Sequence, residues 1–229
     1  MSIETNLSIV EENIEIACSR SNRRRDDVLL IAVTKYVETE RIQKAIEMGI
    51  SDVGENHAQE LREKLNFYKL NSINPHFIGH LQSNKLKYLI DETATIQSVD
   101  SLSLIEQIDK KAKGIGCIQR ILLQVNIGRE PQKSGLAEEE LDTVLSEAER
   151  FQNVSVCGLM CVPPADTAEN TRKYFRKMRD LLEVSSNSHR SLPLKELSMG
   201  MSNDYTVAIE EGATMVRVGS AIFGARDHK

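Results

Sequence analysis

No stretch of this chain approaches the roughly 18 consecutive apolar residues of a membrane-spanning helix, so no helical membrane span is expected. The opening MSIETNLSIVEENIEIA has neither a basic n-region nor a continuous apolar h-region, which argues against a secretory signal. Basic residues are not in excess: 29 Lys and Arg face 34 Asp and Glu, a net charge of −5, which argues against a nucleic acid or an anionic membrane as partner. The run Arg23-Arg24-Arg25 is followed at once by Asp26-Asp27 and reads as a solvated helix–strand connection. Cysteine is scarce, and the spacing of Cys18, Cys117, Cys157 and Cys161 matches neither a disulfide framework nor a paired C-x-x-C zinc pattern. These thiols read as small buried hydrophobes in a reducing compartment, so a cytoplasmic location is expected. On a strand, Cys157 and Cys161 would share a face. No composition shift or Gly/Ser/Pro linker divides the chain, and Pro163-Pro164 reads as a rigid loop, so residues 1–229 are expected to form one domain.

What is present is an alternation. Hydrophobic residues make up 40% and charged ones 28%, as in a globular protein with a substantial core. Leu7, Val10, Ile14 and Ala17 recur at helical spacing in an amphipathic first helix. Short apolar runs then alternate with amphipathic segments. Strands are expected at 28–35, 50–56, 76–81, 94–100, 117–127, 154–162, 194–200 and 214–224. Helical segments separate them, with Ser101 and Ser202 as N-caps of two of these. Eight strands joined by helices imply right-handed crossovers and a parallel sheet, and the count points to a single closed (β/α)8 barrel in the α/β class. The first helix is extra, with the barrel floor as a place for it. An open doubly wound sheet is the alternative, weakened because no G-x-G-x-x-G follows strand one.

In such a barrel the active site lies where the strands stop. The polar residues there are Lys35, Glu55, Asn56, His80, Asn126, Ser198, Arg217 and Ser220. Each has a bland reading. Lys35 can snorkel to solvent, Asn56 can cap the following helix, His80 can be a loop hydrogen-bonder, and Glu55 can pair with a lysine at the rim. Arg217 resists one. Alternation in MVRVGSAIFG sets Met215, Arg217 and Gly219 on one face and Val216 and Val218 on the other. The valines suit packing against helices, which turns Arg217 inward, where it needs an acceptor, either an internal carboxylate or a ligand. Gly219, Ser220 and Ala221 are small enough for backbone N–H groups to approach an anion, and SMGMSND offers a matching turn on the neighbouring strand. A barrel lysine, an interior arginine and a phosphate cradle together point to pyridoxal phosphate (PLP): a lysine amine takes the aldehyde in a Schiff base while the far end is anchored.

The blocks LIAVTKY (30–36), VGENHAQEL (53–61), HFIGHLQSNK (76–85), SVDS (98–101), LLQVNIGREPQKSG (122–135), GLMCVPP (158–164), LSMGMSNDY (197–205) and VRVGSAIFGAR (216–226) run in this order along nearly the whole chain. In them the sequence resembles the YggS-like pyridoxal phosphate homeostasis proteins. The resemblance implies a single barrel like the N-terminal domain of alanine racemase. It implies Lys35 as the Schiff-base lysine, Arg217 facing the pyridine nitrogen, and Ser198, Gly219 and Ser220 holding the phosphate with nearby backbone amides such as that of Met199. Asn56 would lie beside the ring and His80 at the rim. Tyr36 follows the lysine where many relatives carry a smaller residue.

The resemblance implies a PLP carrier or regulator that affects amino-acid and keto-acid pools, with apo PLP-dependent enzymes as possible recipients. A weak amino-acid racemase is the alternative. Racemisation normally needs two positioned acid–base groups, and alanine racemases take one from a second, β-rich domain. Because Lys229 follows strand eight so closely, no such domain is expected here. An always-protonated arginine beside the ring nitrogen also makes the cofactor a weaker electron sink. A barrel aldolase using Lys35 without PLP is the third reading. The exposed helical faces advertise no apolar stripe, so a monomer is expected.

Overall fold

The apolar run that ends at Lys35 becomes β1 (Leu29–Val33). The computed structural model describes residues 2–224; Ala225 and Arg226 of the last sequence block, and Lys229, lie outside the described residues. The alternation then continues as α2 (Thr39–Glu47), β2 (Asp52–Glu55), α3 (Ala58–Leu70), β3 (Asn74–Phe77), a 3-10 turn at Ser83–Tyr88, β4 (Thr95–Val99), α4 (Leu102–Ile115), β5 (Gln119–Gln124) and α5 (Glu138–Ala148). It ends with β6 (Val154–Met160), α6 (Ala168–Ser188), β7 (Glu196–Ser198), α7 (Tyr205–Glu210), β8 (Met215–Val218) and α8 (Ser220–Phe223). The eight strands pair in sequence order, all parallel, and the sheet closes on itself. The closing pair sets Ile31 opposite Arg217 and Ala32 opposite Val218. That closure removes the open-sheet alternative. No helix among the described residues is long and apolar enough to cross a membrane.

Helix α1 (Ile3–Arg20) does not cover the floor. It packs into the outer ring against α2, α7 and α8, burying Leu7, Val10, Ile14 and Ala17. Asn6 Nδ2 donates to the Ile222 carbonyl at 2.9 Å. Among the described residues β8 is followed by one helical turn, α8, too short by itself to cover the seam between β8 and β1. Segment 214–224, expected as one strand, therefore divides at Gly219. Ser101 caps α4 as expected, its Oγ accepting from Leu104 N at 3.3 Å. Ser202 does not cap α7; Asp204 stands at that position. The arginine run is more tied down than expected. Arg23 donates to the Ile209 and Ala213 carbonyls, and Arg25 pairs with Glu11.

Most of the apolar core lies between barrel and helices, with a smaller cluster inside the barrel formed by Ile31, Leu122, Cys157, Met160 and Met215. Cys157 and Cys161 do not share a face. Consecutive Ile121 and Leu122 on β5 pair with Val156 and Gly158, so β6 carries a bulge that flips the alternation between the two cysteines. Cys157 points inward and Cys161 lies in the outer layer. All four cysteines are reduced.

Candidate functional site

A cavity of about 510 Å³ opens at the C-terminal ends of the strands. Its walls are Val33 and Lys35 from the end of β1, Asn56 after β2, Ile78 after β3, the 162–166 loop after β6, the 201–204 turn after β7, and Arg217, Gly219 and Ser220 at β8. The period of two carries Ile31, Val33 and Lys35 along the inner face, so the strand that buries two apolar side chains delivers an amine into the cavity.

The outer face of the same strand end is clamped. Thr34 Oγ1 donates to Glu55 Oε1 at 2.8 Å, and Tyr68 Oη donates to the same oxygen at 2.6 Å. Lys64 Nζ reaches Glu55 at 3.1 Å, Glu60 at 2.7 Å and the Thr34 carbonyl at 2.7 Å. The Tyr36 N–H donates to Glu60. Lys35 is thus bracketed on both sides by backbone groups held from α3. Glu55 was expected at the rim; it is fully buried between β2 and α3. Burial pushes its carboxyl above the usual range, opposed by the Lys64 charge and the Tyr68 hydroxyl. Tyr36 takes a left-handed conformation (φ +60°), and its hydroxyl meets His57 Nε2 at 2.8 Å outside the cavity.

Arg217 points inward, as alternation requires, and is 3% exposed. Its direct acceptors are not carboxylates. Nη1 donates to Ser198 Oγ at 2.6 Å and Nη2 to the Cys161 carbonyl at 2.8 Å. Burial lowers the guanidinium from its ordinary value, opposed by the charge of Asp204. Burial pushes the Cys161 thiol up to about 12, so it stays protonated. Asp204, also raised by burial, accepts from Met201 N at 2.7 Å and shapes the turn after β7.

Lys35, Asn56, Arg217, Gly219 and Ser220 therefore meet at one cavity. Ser198 and Met199 are not brought to its wall. The Ser198 hydroxyl is fully buried beneath it, spent on Arg217 and on Gln97 Oε1 at 2.7 Å. The Met199 side chain packs in the outer core and its N–H bonds the Met215 carbonyl at 3.1 Å. His80 stands in a loop, because β3 stops at Phe77. Its exposed ring meets Ser134 Oγ at 3.1 Å and borders a smaller cavity of about 330 Å³ that shares Asn56 with the first. Gly79 makes this approach possible: a Cβ there would sit 2.0 Å from the Asn56 carbonyl oxygen. Asn56 does not cap α3, since His57 holds that position; its Oδ1 is buried with no hydrogen-bond partner among the described residues.

Ser202, Asp166 and Lys133 also line the cavity and were not read as site residues from the sequence. The two turns were legible, but Ser202 sits in one and serves the other. Its Oγ accepts from Gly219 N and Ala221 N, both at 3.2 Å. Two backbone amides at the start of α8 thus converge on one oxygen.

The comparisons with known proteins agree with this fold. The model of the alanine racemase N-terminal domain matches residues 5–227. The pyridoxal phosphate homeostasis protein of Aquifex aeolicus is 40% identical over 223 residues, 97% of either chain. That of Haemophilus influenzae is 36% identical over 231 residues, 100% of this chain and 98% of the other. The solved structure of PipY from Synechococcus elongatus with PLP bound superposes with a TM-score of 0.85 at 33% identity, covering 97% of this chain and 100% of that one. With a closed parallel barrel, an amine at the end of its first strand and a family model matching almost end to end, this chain belongs to the alanine racemase N-terminal domain family.

Proposed function

We propose that this protein binds PLP covalently through Lys35 and acts in PLP homeostasis as a carrier or regulator. The observation that carries the reading is the meeting of an amine, a buried guanidinium and a pair of convergent backbone amides in one cavity. The names of the full-length relatives and the PLP in PipY support it.

The residues fit the group. About 510 Å³ lies within the range of small-molecule sites. The N–H groups of Gly219 and Ala221 already meet an oxygen, the Ser202 hydroxyl, where an anionic oxygen would be favoured more strongly. The buried Asn56 Oδ1 awaits a donor. Arg217 borders the cavity while two of its nitrogens are tied from below. When bound, PLP supplies a reactive aldehyde and an electron-accepting ring. The chain's own contribution is to hold it: Lys35 as the covalent anchor, Arg217 at the ring nitrogen, Gly219 and Ser220 at the phosphate, and Asn56 beside the ring. His80 would guard the rim.

A carrier is favoured over a racemase because the tyrosine next to Lys35 directs its hydroxyl to His57, away from the cavity, and so is not placed as a second base. Purified wild type is expected to carry a visible absorption band and to be trapped irreversibly by borohydride on the peptide containing Lys35. Lys35→Ala is expected to lose both. With L-amino acids no D-isomer should accumulate; rapid D-isomer formation would make the protein a racemase. Absence of the band after added PLP, with trapping only by a carbonyl substrate, would favour aldolase chemistry.

A further inference from the structure

The contacts of Arg217 continue below Ser198. Inside the barrel, β2, β3, β4, β7 and β8 contribute Asp52, His76, Gln97, Ser198 and Arg217, none more than 7% exposed. They form one unbroken chain. Asp52 Oδ1 lies 2.9 Å from His76 Nε2, and His76 Nδ1 lies 3.1 Å from Gln97 Nε2. Gln97 Oε1 lies 2.7 Å from Ser198 Oγ, which lies 2.6 Å from Arg217 Nη1.

Its direction is set at both ends. A guanidinium only donates and a carboxylate only accepts. Arg217 therefore donates to Ser198, whose single hydroxyl proton goes to Gln97 Oε1. The Gln97 amide donates to His76 Nδ1, which leaves the imidazole proton on Nε2 for Asp52. With a neutral imidazole no link can reverse while Arg217 and Asp52 hold their charges. The Asp52 end supports this polarity: burial alone would raise its carboxyl, but hydrogen bonds from His76 and Ser51 hold it below the ordinary carboxylate range.

The chain is a choice the barrel did not have to make. On the same inner face Ile31, Leu122, Met160 and Met215 fill space with apolar side chains. A buried polar chain gives no more stability than such packing, but it fixes orientation when every member is satisfied. The end that faces the cavity is the guanidinium.

We propose that Gln97 and His76 are positioning residues, which through Ser198 hold the Arg217 guanidinium in the single orientation that offers a donor to the ring nitrogen of a pyridine-type ligand. The inference rests on the reading above that Arg217 meets that nitrogen. It implies that the chain acts on one atom of the ligand and not on its phosphate or aldehyde.

The test compares affinity for PLP with affinity for its benzene analogue, which keeps the aldehyde, hydroxyl and phosphate but lacks the ring nitrogen. Wild type is expected to prefer PLP by about tenfold, the worth of one hydrogen bond to a charged donor. Gln97→Met, close in volume and without donors, is expected to bring that ratio to within about twofold of unity while leaving the analogue's affinity within about twofold of wild type. Ser198→Ala, a smaller change at the next link, is expected to do the same and serves if Gln97→Met does not fold. An unchanged ratio in either folded variant, or equal losses for both ligands, overturns the positioning role. A wild type without preference removes the ring-nitrogen reading and this inference with it, while the borohydride experiment on Lys35 stands apart from both.

Discussion

Lys35 and Lys64 approach the end of β1 from opposite faces. Lys64 comes from α3, is 9% exposed, and spends its ammonium on Glu55, Glu60 and the Thr34 carbonyl. Lys35 comes from the strand itself and lines the cavity. One lysine is matched by carboxylates in a closed site and secures the backbone on either side of its neighbour. The other is presented to a space large enough for a ligand. The residue type is the same; what lies in front of it differs, two carboxylates for Lys64 and a ligand-sized cavity for Lys35.

Four substitutions sharpen the contrast. Lys64→Met is expected to cost about 3 kcal/mol, because Glu55 stays buried without its cation. Lys35→Met is expected to abolish covalent trapping of PLP in a protein that still folds. Urea unfolding checks the first and borohydride trapping the second; trapping retained in Lys35→Met would erase the distinction. Tyr68→Phe removes one of the donors to Glu55 and is expected to cost about 1.5 kcal/mol in the same assay, with covalent trapping at Lys35 retained. The smallest effect belongs to Tyr36→Gly. The left-handed backbone costs a tyrosine about 1 kcal/mol relative to glycine. Glycine's freedom in the unfolded chain offsets most of that. A net change within about 0.5 kcal/mol is expected; a larger loss would show that the Tyr36–His57 contact supports the clamp.

The barrel was legible from the count of eight strand–helix units, Lys35 from its place where strand one stops, and the inward turn of Arg217 from a period of two along one strand. Val216 and Val218 declared the outer face, and Arg217 followed. What stayed hidden depends on partners distant in sequence. Ser198 was read as a phosphate ligand because nothing near it indicates that Gln97, 101 residues away, and Arg217 claim its hydroxyl. Glu55 was read as a rim residue because its buried face appears only when α3 lays Lys64 and Tyr68 against it. The bulge in β6 interrupts the alternation on which the cysteine expectation stood. Ser202 has the sequence mark of a helix cap but gives its oxygen to amides 17 and 19 residues on. Tertiary competition for a hydrogen bond is invisible to local propensity.

The seat of α1 between α2 and α7–α8 has a consequence for synthesis. Asn6 bonds Ile222, 216 residues away, so α1 is synthesised long before the elements that seat it. Until β8 and α8 emerge, Leu7, Val10 and Ile14 lack most of their cover, and the barrel has an unpaired edge on β1. Closure of the barrel and the seating of α1 therefore both wait on β8 and α8.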